Sequence, residues 1–497
     1  MLEEEIIRRA KADRLRAEGV DPYPSKVNRT DEIGKVLEQF TARVANLKNT
    51  ATLVGRLRSI RAHGGAAFAD LADASGQIQL YFKSDVVGEE QFKLFMDCVD
   101  HADFIEATGE LFLTKRGQQS LLVKSWRLLA KALLPLPEKW HGLSDVETRY
   151  RHRHLDLLAN PEVFETFRKR SLIVQKIREI LSREGFMEVE TPILQTVAGG
   201  AAAKPFVTHH NALDLDLYLR IAPELFLKRL VVGGYEKVFE VARCFRNEGI
   251  SFQHNPEFTQ VEFYWAFANY EDLMGLTERM ISEIVLTLTG GRPTVERDGM
   301  ELNFTAPFPR RKFYDLVREQ TGLDLAQLKD EAGLRAAIQA KFPKLDVKDA
   351  VGYGELCDLL YKEYVRPGIV QPTFVLDYPA EMLSLAKRKD PPEADRIASV
   401  QLVVQGMELT KAYNELNDPL EQQSRFMEEE MKKGKGSEEA MATDAYFVEA
   451  LKHGMPPTAG FGMGIDRLTA ILTGAHSVKE VILFPTMRPE TNSPEND

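Results

Sequence analysis

The segment FRNEGISFQHNPEF, residues 245–258, sets Arg246, Asn247, Glu248 and His254 among three apolar anchors, Phe245, Phe252 and Phe258. An arginine fork neutralises phosphate and an aromatic ring offers a stacking face to a base, so this group could grip both halves of a nucleotide. VFEVARCF at 238–245 is apolar and partly β-branched, and TQVEFYWAFANY at 259–270 alternates, which predicts two strands with the loop as their hairpin tip. A charged surface hairpin fits the same residues. A second concentration is GFGMGIDRLTAILTG, 460–474, where Gly460, Gly462 and Gly464 would let a strand approach a ligand or simply pack. It is a poor dinucleotide fingerprint, because the third glycine and the βαβ unit are missing. Arg467 falls in the first turn of the helix that follows, against the dipole preference, and such a cation is better explained by an anion. Glu262, in the apolar run VEFYWAF, shares a strand face with Tyr264. A carboxylate facing an interior needs a cation, and this pair could hold an ammonium group. Glu224 follows Pro223 at a predicted helix start, where the dipole alone would favour it.

These residues need a large scaffold. The chain has 497 residues, enough for two or three domains. Residues 1–140 carry a net charge of +1 and the remainder −12, so any RNA contact must come from local basic patches. Cys98, Cys244 and Cys357 are isolated, which predicts neither a zinc site nor a disulfide frame and suggests a reducing compartment. The first residues, MLEEEIIRRAKADRLRAEG, read as a charged helix rather than a signal peptide, and no window is long enough to span a membrane. A soluble, cytoplasmic protein without membrane contact is expected.

From Ala51, short alternating runs separated by turns, with the helix-like EEQFKLFMDCV among them, count to five strands and one helix. That is the inventory of an OB-fold barrel, although a barrel that binds no nucleic acid would read alike. Phe68 lies in an alternating strand and could be barrel core. LLPLPEKWHGLSD, 133–145, reads as a linker. VETRYRHRHLDLLAN follows, with His152 and His154 but too few thiol or acidic partners for a metal, and reads as a solvated helix face. EGFMEVETPIL, 184–194, follows a helix running from Phe167 to Leu181; Gly185 ends that helix and Val189 to Thr191 extend before Pro192. The expected division is a helical extension at 1–50, the barrel at 51–134, a linker at 135–160, a catalytic domain at 161–490 with a helical insertion near 309–350, and a tail at 491–497. GKGSEE, 434–439, reads as a surface loop.

In this order and spacing, the elements at 184–194, 245–258 and 460–474 resemble the three motifs of class II aminoacyl-tRNA synthetases. AGGAAAKPF, RIAPELFLKRL, FRNEGI, HNPEFT and KAYNELNDP look like the wording of the lysyl-tRNA synthetases, and the resemblance spans about 51–489. It implies an α+β multidomain chain, an N-terminal OB-fold β-barrel followed by an antiparallel-sheet catalytic domain with a helical insertion. The implied activity is ATP-dependent ligation of lysine to lysine tRNA through a lysyl-adenylate, releasing AMP and pyrophosphate. The implied partners are lysine, ATP, lysine tRNA and a second copy in a homodimer, with Mg2+ as cofactor. By the same resemblance Arg246 bridges the α-phosphate and the amino-acid carboxylate, Glu248 and His254 hold the nucleotide, Phe258 stacks on adenine, and Arg467 covers its other face or the γ-phosphate. Gly200, Glu224, Glu262, Tyr264, Tyr413 and Glu415 form the lysine pocket. Glu408 binds magnesium. In the barrel, Phe68 stacks on an anticodon base, Gln79 reads its edge and Arg61 supports that contact.

Four positions depart from the common pattern. Gln401 stands where a second magnesium-binding glutamate is usual, Lys411 replaces an asparagine, Gln253 replaces an arginine, and Gln118 replaces a glutamate. Two other functions remain open on this reading: a paralogue that lysylates a protein, and a catalytically impaired RNA-binding regulator.

Overall fold

The computed structural model describes residues 3–46, 49–136, 143–434 and 442–489. The predicted loop at 434–439 beyond its first residue, the tail at 491–497 and the centre of the linker lie outside the described residues. The chain divides into two compact units, Met1–Ser144 and Asp145–Asp497.

In the first unit, the strands Thr50–His63, Ala66–Ala72, Gln77–Lys83, Phe104–Leu113 and Gln119–Ala130 close into a barrel. Strict alternation drives the closure. Ala67, Ala69 and Leu71 on one strand and Ile78, Leu80 and Phe82 on the next all point inward and are buried. The helix Glu89–Cys98 caps this core through Phe95, whose ring stacks on Phe82 at 4.1 Å. The N-terminal helix Glu3–Ala17 packs inside the same unit. Its Arg8 is buried and donates to the carbonyls of His101 and Ala132, so the segment 1–50 is integral to the barrel unit.

The second unit is built on an eight-stranded sheet. Its spatial order is Arg310–Lys312, Thr373–Leu376, Ser399–Val404, Met407–Asn414, Thr458–Gly464, Glu257–Ala266, Lys237–Phe245 and Met187–Glu188. Pairing is antiparallel throughout the middle and parallel only at the two edges. The helices Pro161–Arg183, Tyr270–Thr289 and Ile465–Thr473 bury one face of the sheet with a core that includes Phe239, Phe263 and Phe461. The opposite face carries Tyr264, Tyr413 and Val238 and is partly covered by the helices Glu224–Val232 and Gly352–Leu360. Period-two alternation therefore sends Phe263 into one layer and Glu262 with Tyr264 into the other.

Several expectations change. The strand leaving the hairpin stops at Ala266, because Phe267 takes a left-handed φ of 64° and Asn269 caps the next helix through a capping box. Of the 184–194 element Met187–Glu188 joins the large sheet, Val189 adds one bond, its N–H donating to Phe239 O at 2.9 Å, and Leu194 pairs with Leu219 in a separate three-stranded sheet. Arg310–Lys312, within the range expected to be a helical insertion, is a sheet strand, and the helix Phe313–Thr321 follows it directly. In the segment 146–159 His152 and His154 are exposed, as a solvated face requires, but Arg153 and Asp156 are fully buried, 2.5 Å apart, and Arg153 also donates to the carbonyls of Ile482 and Leu483. Its run of charges hid an internal network. All three cysteines are free and buried. Among the described residues no helix is long and apolar enough to cross a membrane.

Phe263 is fully buried between the ring of Phe461 at 4.4 Å and the edge of Phe186 at 5.0 Å. Phe263→Ala is expected to cost about 3–5 kcal/mol through lost burial and an unfilled cavity, read from denaturant unfolding of the larger unit.

Candidate active site

Antiparallel pairing lays the site out in rows across the middle of the sheet. Tyr413, Gly460, Tyr264 and Val238 stand side by side in one row, and Gln401, Lys411, Gly462, Glu262 and Glu240 in the next. The glycines have a steric purpose. A Cβ on Gly460 would overlap Glu415 Oε1 and come within 2.6 Å of Tyr264 Cε1, so the strand must be bare where two large polar side chains fold over it. At Gly462 a Cβ would make only ordinary contact, 3.7 Å from Glu262 Cγ. Gly200 approaches from a separate loop with φ 88°, and a Cβ there would press on Glu224 Cβ at 3.1 Å.

Above these rows lies an acidic pocket. Glu224, Glu262 and Glu415 are all buried, as are Tyr264 and Tyr413. Tyr413 OH donates to Glu224 Oε1 at 2.9 Å. Lys228, one helical turn after Glu224 and fully buried, sets its ammonium 2.5 Å from Glu224 Oε1 and against Glu415 Oε2. Both carboxylates raise the lysine's pKa against the effect of burial, so it remains charged. Glu262 receives only neutral donors: Gln260 Nε2 at 2.7 Å and Tyr264 OH at 3.2 Å. Burial first, and the charge of Glu224 next, push its pKa up to about 8. Glu415 is likewise pushed well up by burial, and its Oε1 has no hydrogen-bond partner among the described residues. The pocket is thus short of positive charge.

Beside it on the same face lies a group of cations. The guanidinium of Arg246 sits 5.0 Å from the ring centre of Phe258, and its buried Nε has no partner among the described residues. Arg467 donates to Glu408 O at 3.1 Å and to His254 Nε2 at 3.1 Å. Because the guanidinium can only donate, Nε2 is the acceptor, and the Nδ1–H faces Ser251 Oγ at 2.9 Å. Burial, with Arg467 and Arg246 next, lowers the His254 pKa to about 4, so the ring is neutral at pH 7. Glu408 is held below the usual carboxylate range by Lys411, Arg467, Arg366 and Lys362, which together outweigh its burial. Lys411 makes no ion pair within 4 Å among the described residues, and its influence reaches Glu408 through space. The site is built to take an anion.

Not every expected residue joins these groups. Glu248 is half-buried on the loop and makes no hydrogen bond or ion pair among the described residues. Phe252, expected as an anchor, is 60% exposed; its carbonyl accepts from Val478 N–H at 2.9 Å instead. Gln401 faces the site, but its Oε1 accepts from Tyr378 OH at 2.7 Å, leaving Glu408 as the available carboxylate. No cluster of three or more histidine, cysteine or acidic side chains among the described residues is arranged to hold a metal unaided. A magnesium ion coordinated mainly by substrate phosphates needs only one or two protein carboxylates, and Glu408 fits one such ion.

On the barrel, Phe68 is excluded from the core: it points outward between the buried Ala67 and Ala69. Its ring stacks on Tyr81 at 4.7 Å with 12° between planes, and Tyr81 meets Phe112 at 5.9 Å. Gln79 shares this outer face and accepts from Ser120 Oγ at 3.1 Å. Arg61, directly across from Phe68, is exposed with a nitrogen 3.6 Å from Asp70. Such an aromatic strip flanked by an arginine suits single-stranded bases.

Lys228, Gln260, Arg366, Lys362, Tyr81 and Phe112 did not stand out in the sequence. Lys228 alone had a readable signal, its position four residues after Glu224 on a helix.

The family described as tRNA synthetases class II (D, K and N) matches residues 145–488, and that described as an OB-fold nucleic acid binding domain matches 51–129. Among curated relatives, a lysine–tRNA ligase of Carboxydothermus hydrogenoformans is 46% identical, with 97% of each chain covered. Others so named, from Clostridium perfringens and Syntrophomonas wolfei, are 47% and 45% identical over 98% of this chain and 97% of theirs. The acidic pocket, the neighbouring cation group and these full-length likenesses agree, and this chain belongs to the class II tRNA synthetases (D, K and N), within them to the lysine–tRNA ligases.

Proposed function

We propose that this chain joins lysine to lysine tRNA in two steps. The lysine carboxylate attacks the α-phosphorus of ATP, forming a lysyl-adenylate as pyrophosphate leaves. A ribose hydroxyl at the tRNA 3′ end then attacks the acyl carbon, and AMP leaves. The observation that carries this reading is the adjacency of a buried acidic pocket and a cation group on one sheet face. A zwitterion with an extra ammonium fits the first and a polyphosphate fits the second. Arg246 exerts its charge on both Glu262 and His254, which suits it to hold the carboxylate and the α-phosphate in line. Phe258, with Arg246 over its ring, takes adenine. Arg467 and neutral His254 bind the distal phosphates, Arg366 and Lys362 add charge nearby, and Glu248 closes over the nucleotide from its loop. Magnesium bound by Glu408 with those phosphates would neutralise charge on the leaving pyrophosphate, and Gln401 would contribute no second anionic ligand. Neither step needs a protein nucleophile; rate comes from positioning and charge.

In the pocket, Gly200 opens main-chain access beside Glu224, while Glu262, Tyr264, Tyr413 and Glu415 receive the ammonium groups. The outer barrel face, with Phe68 stacking, Gln79 reading an edge and Arg61 beside them, would hold the anticodon. Met187, Ile193, Leu194, Val207 and Leu213 are exposed apolar residues on and near the 184–194 element, which supports a homodimer through that surface.

Amino-acid-dependent exchange of pyrophosphate into ATP is expected with lysine alone among the twenty amino acids, followed by charging of lysine tRNA. Loss of both in folded protein would overturn the proposal, and exchange without tRNA charging would direct attention to a protein acceptor. Lysine binding should also depend on pH. Below pH 8 an empty pocket keeps Glu262 protonated, and an incoming ammonium must displace that proton. Lysine affinity should therefore fall as pH drops through about 8 to 6, by up to about tenfold per unit, with proton release visible by calorimetry in buffers of different ionisation heat. Glu262→Gln should weaken lysine binding by about 10–100-fold, spare ATP binding and abolish the Glu262 part of that release. Phe68→Ala should raise the KM for tRNA by about 5–100-fold, as loss of one stacked base predicts, and leave pyrophosphate exchange unchanged.

A further inference from the structure

Lys228 is buried at the heart of the pocket yet has no place in the two chemical steps. Its ammonium bridges Glu224 and Glu415 and lies 5.7–6.0 Å from the ring centres of Tyr413, Tyr264 and Phe447. Two carboxylates and three rings around an ammonium form the kind of cage expected to hold a lysine, and here the protein supplies the cation. The charges can be counted. Three buried carboxylates with one fixed ammonium leave two net negative charges when all are ionised. Free lysine brings two ammonium groups, while its own carboxylate faces Arg246. Without Lys228 the pocket would hold three buried carboxylates with no fixed cation, and Glu224 and Glu415 would repel each other across the place its ammonium now occupies.

We propose that Lys228 is a positioning residue that sets the charge of the amino-acid pocket, cancelling one carboxylate and fixing Glu224 and Glu415 so that one lysine neutralises the remainder. This rests on the lysine-pocket reading above. It makes the pocket's selectivity a matter of matched charge number as well as shape. A side chain without the second ammonium leaves an unpaired buried carboxylate, and one bearing a carboxylate adds a like charge.

The test is Lys228→Ala, assayed by lysine-dependent pyrophosphate exchange with the full chain. The KM for lysine should rise about tenfold or more, as for a lost charged hydrogen bond, with the KM for ATP shifted less than about threefold. Added n-propylammonium, which replaces the missing atoms and charge, should restore the lysine KM; 1-propanol, nearly isosteric but neutral, should not. An unchanged lysine KM, equal losses for lysine and ATP, or equal rescue by both additives would overturn the proposal. If Lys228→Ala does not fold, Lys228→Met, which keeps most of the volume without the charge, is assayed instead. It should show the same selective rise in lysine KM, and a wild-type KM would overturn the proposal. Glu262→Gln measured in parallel separates the two ideas. If it leaves lysine binding unchanged the pocket reading fails, whereas a selective loss there without one at Lys228 sinks only the role of Lys228.

Discussion

A carboxylate buried against a sheet must find a cation or give up its charge, and three of them crowd one face here, Glu262 from a strand, Glu224 from a helix start and Glu415 from just past a strand end. The surrounding architecture answers that constraint. Lys228 arrives from a helix to hold Glu224 and Glu415, tyrosine hydroxyls take remaining acceptor positions, and Glu262 is left to neutral donors. The bare strand at Gly460 exists because Glu415 and Tyr264 occupy the space any side chain would need. Stability is given up locally so that a ligand's charge completes the site.

The same sheet separates opposite demands by alternation. Odd and even residues of Glu257–Ala266 face different layers, with Phe263 in a stack of aromatic rings and Glu262 in a polar pocket. The rigid layer fixes the spacing of the reactive one. The cation group lies beside this pocket, and burial together with its arginines lowers the His254 pKa to about 4, fixing the ring as a neutral hydrogen-bonding partner. Gln401 is tied to a tyrosine hydroxyl, and Glu408 is surrounded by the protein's own cations, Lys411, Arg467, Arg366 and Lys362.

The barrel shows how one residue can be read two ways until its neighbours are placed. Phe68 in an alternating strand fits a core or a surface equally. Pairing across to Tyr81 put both rings outside, because Ala67 and Ala69 fill the narrow interior. Arg153 shows the opposite case. A run of arginine and histidine looks solvated, yet Asp156 and several backbone carbonyls satisfy Arg153 in full burial.

Local chemistry in the sequence already determined the strand–loop–strand around 245–258, the glycine strand running into the Arg467 helix, the five-stranded barrel, and the isolation of the cysteines. Periodicity, turn residues and short motifs are properties of neighbours along the chain, so they can be read there. Tertiary structure alone decided which charges meet. Lys228 reaches Glu415 across nearly two hundred positions, Arg366 and Lys362 act on Glu408 from a separate segment, and Glu248 pairs with nothing among the described residues despite sitting in the motif. Electrostatic partnership depends on distance through space and on burial, and neither is written in sequence spacing.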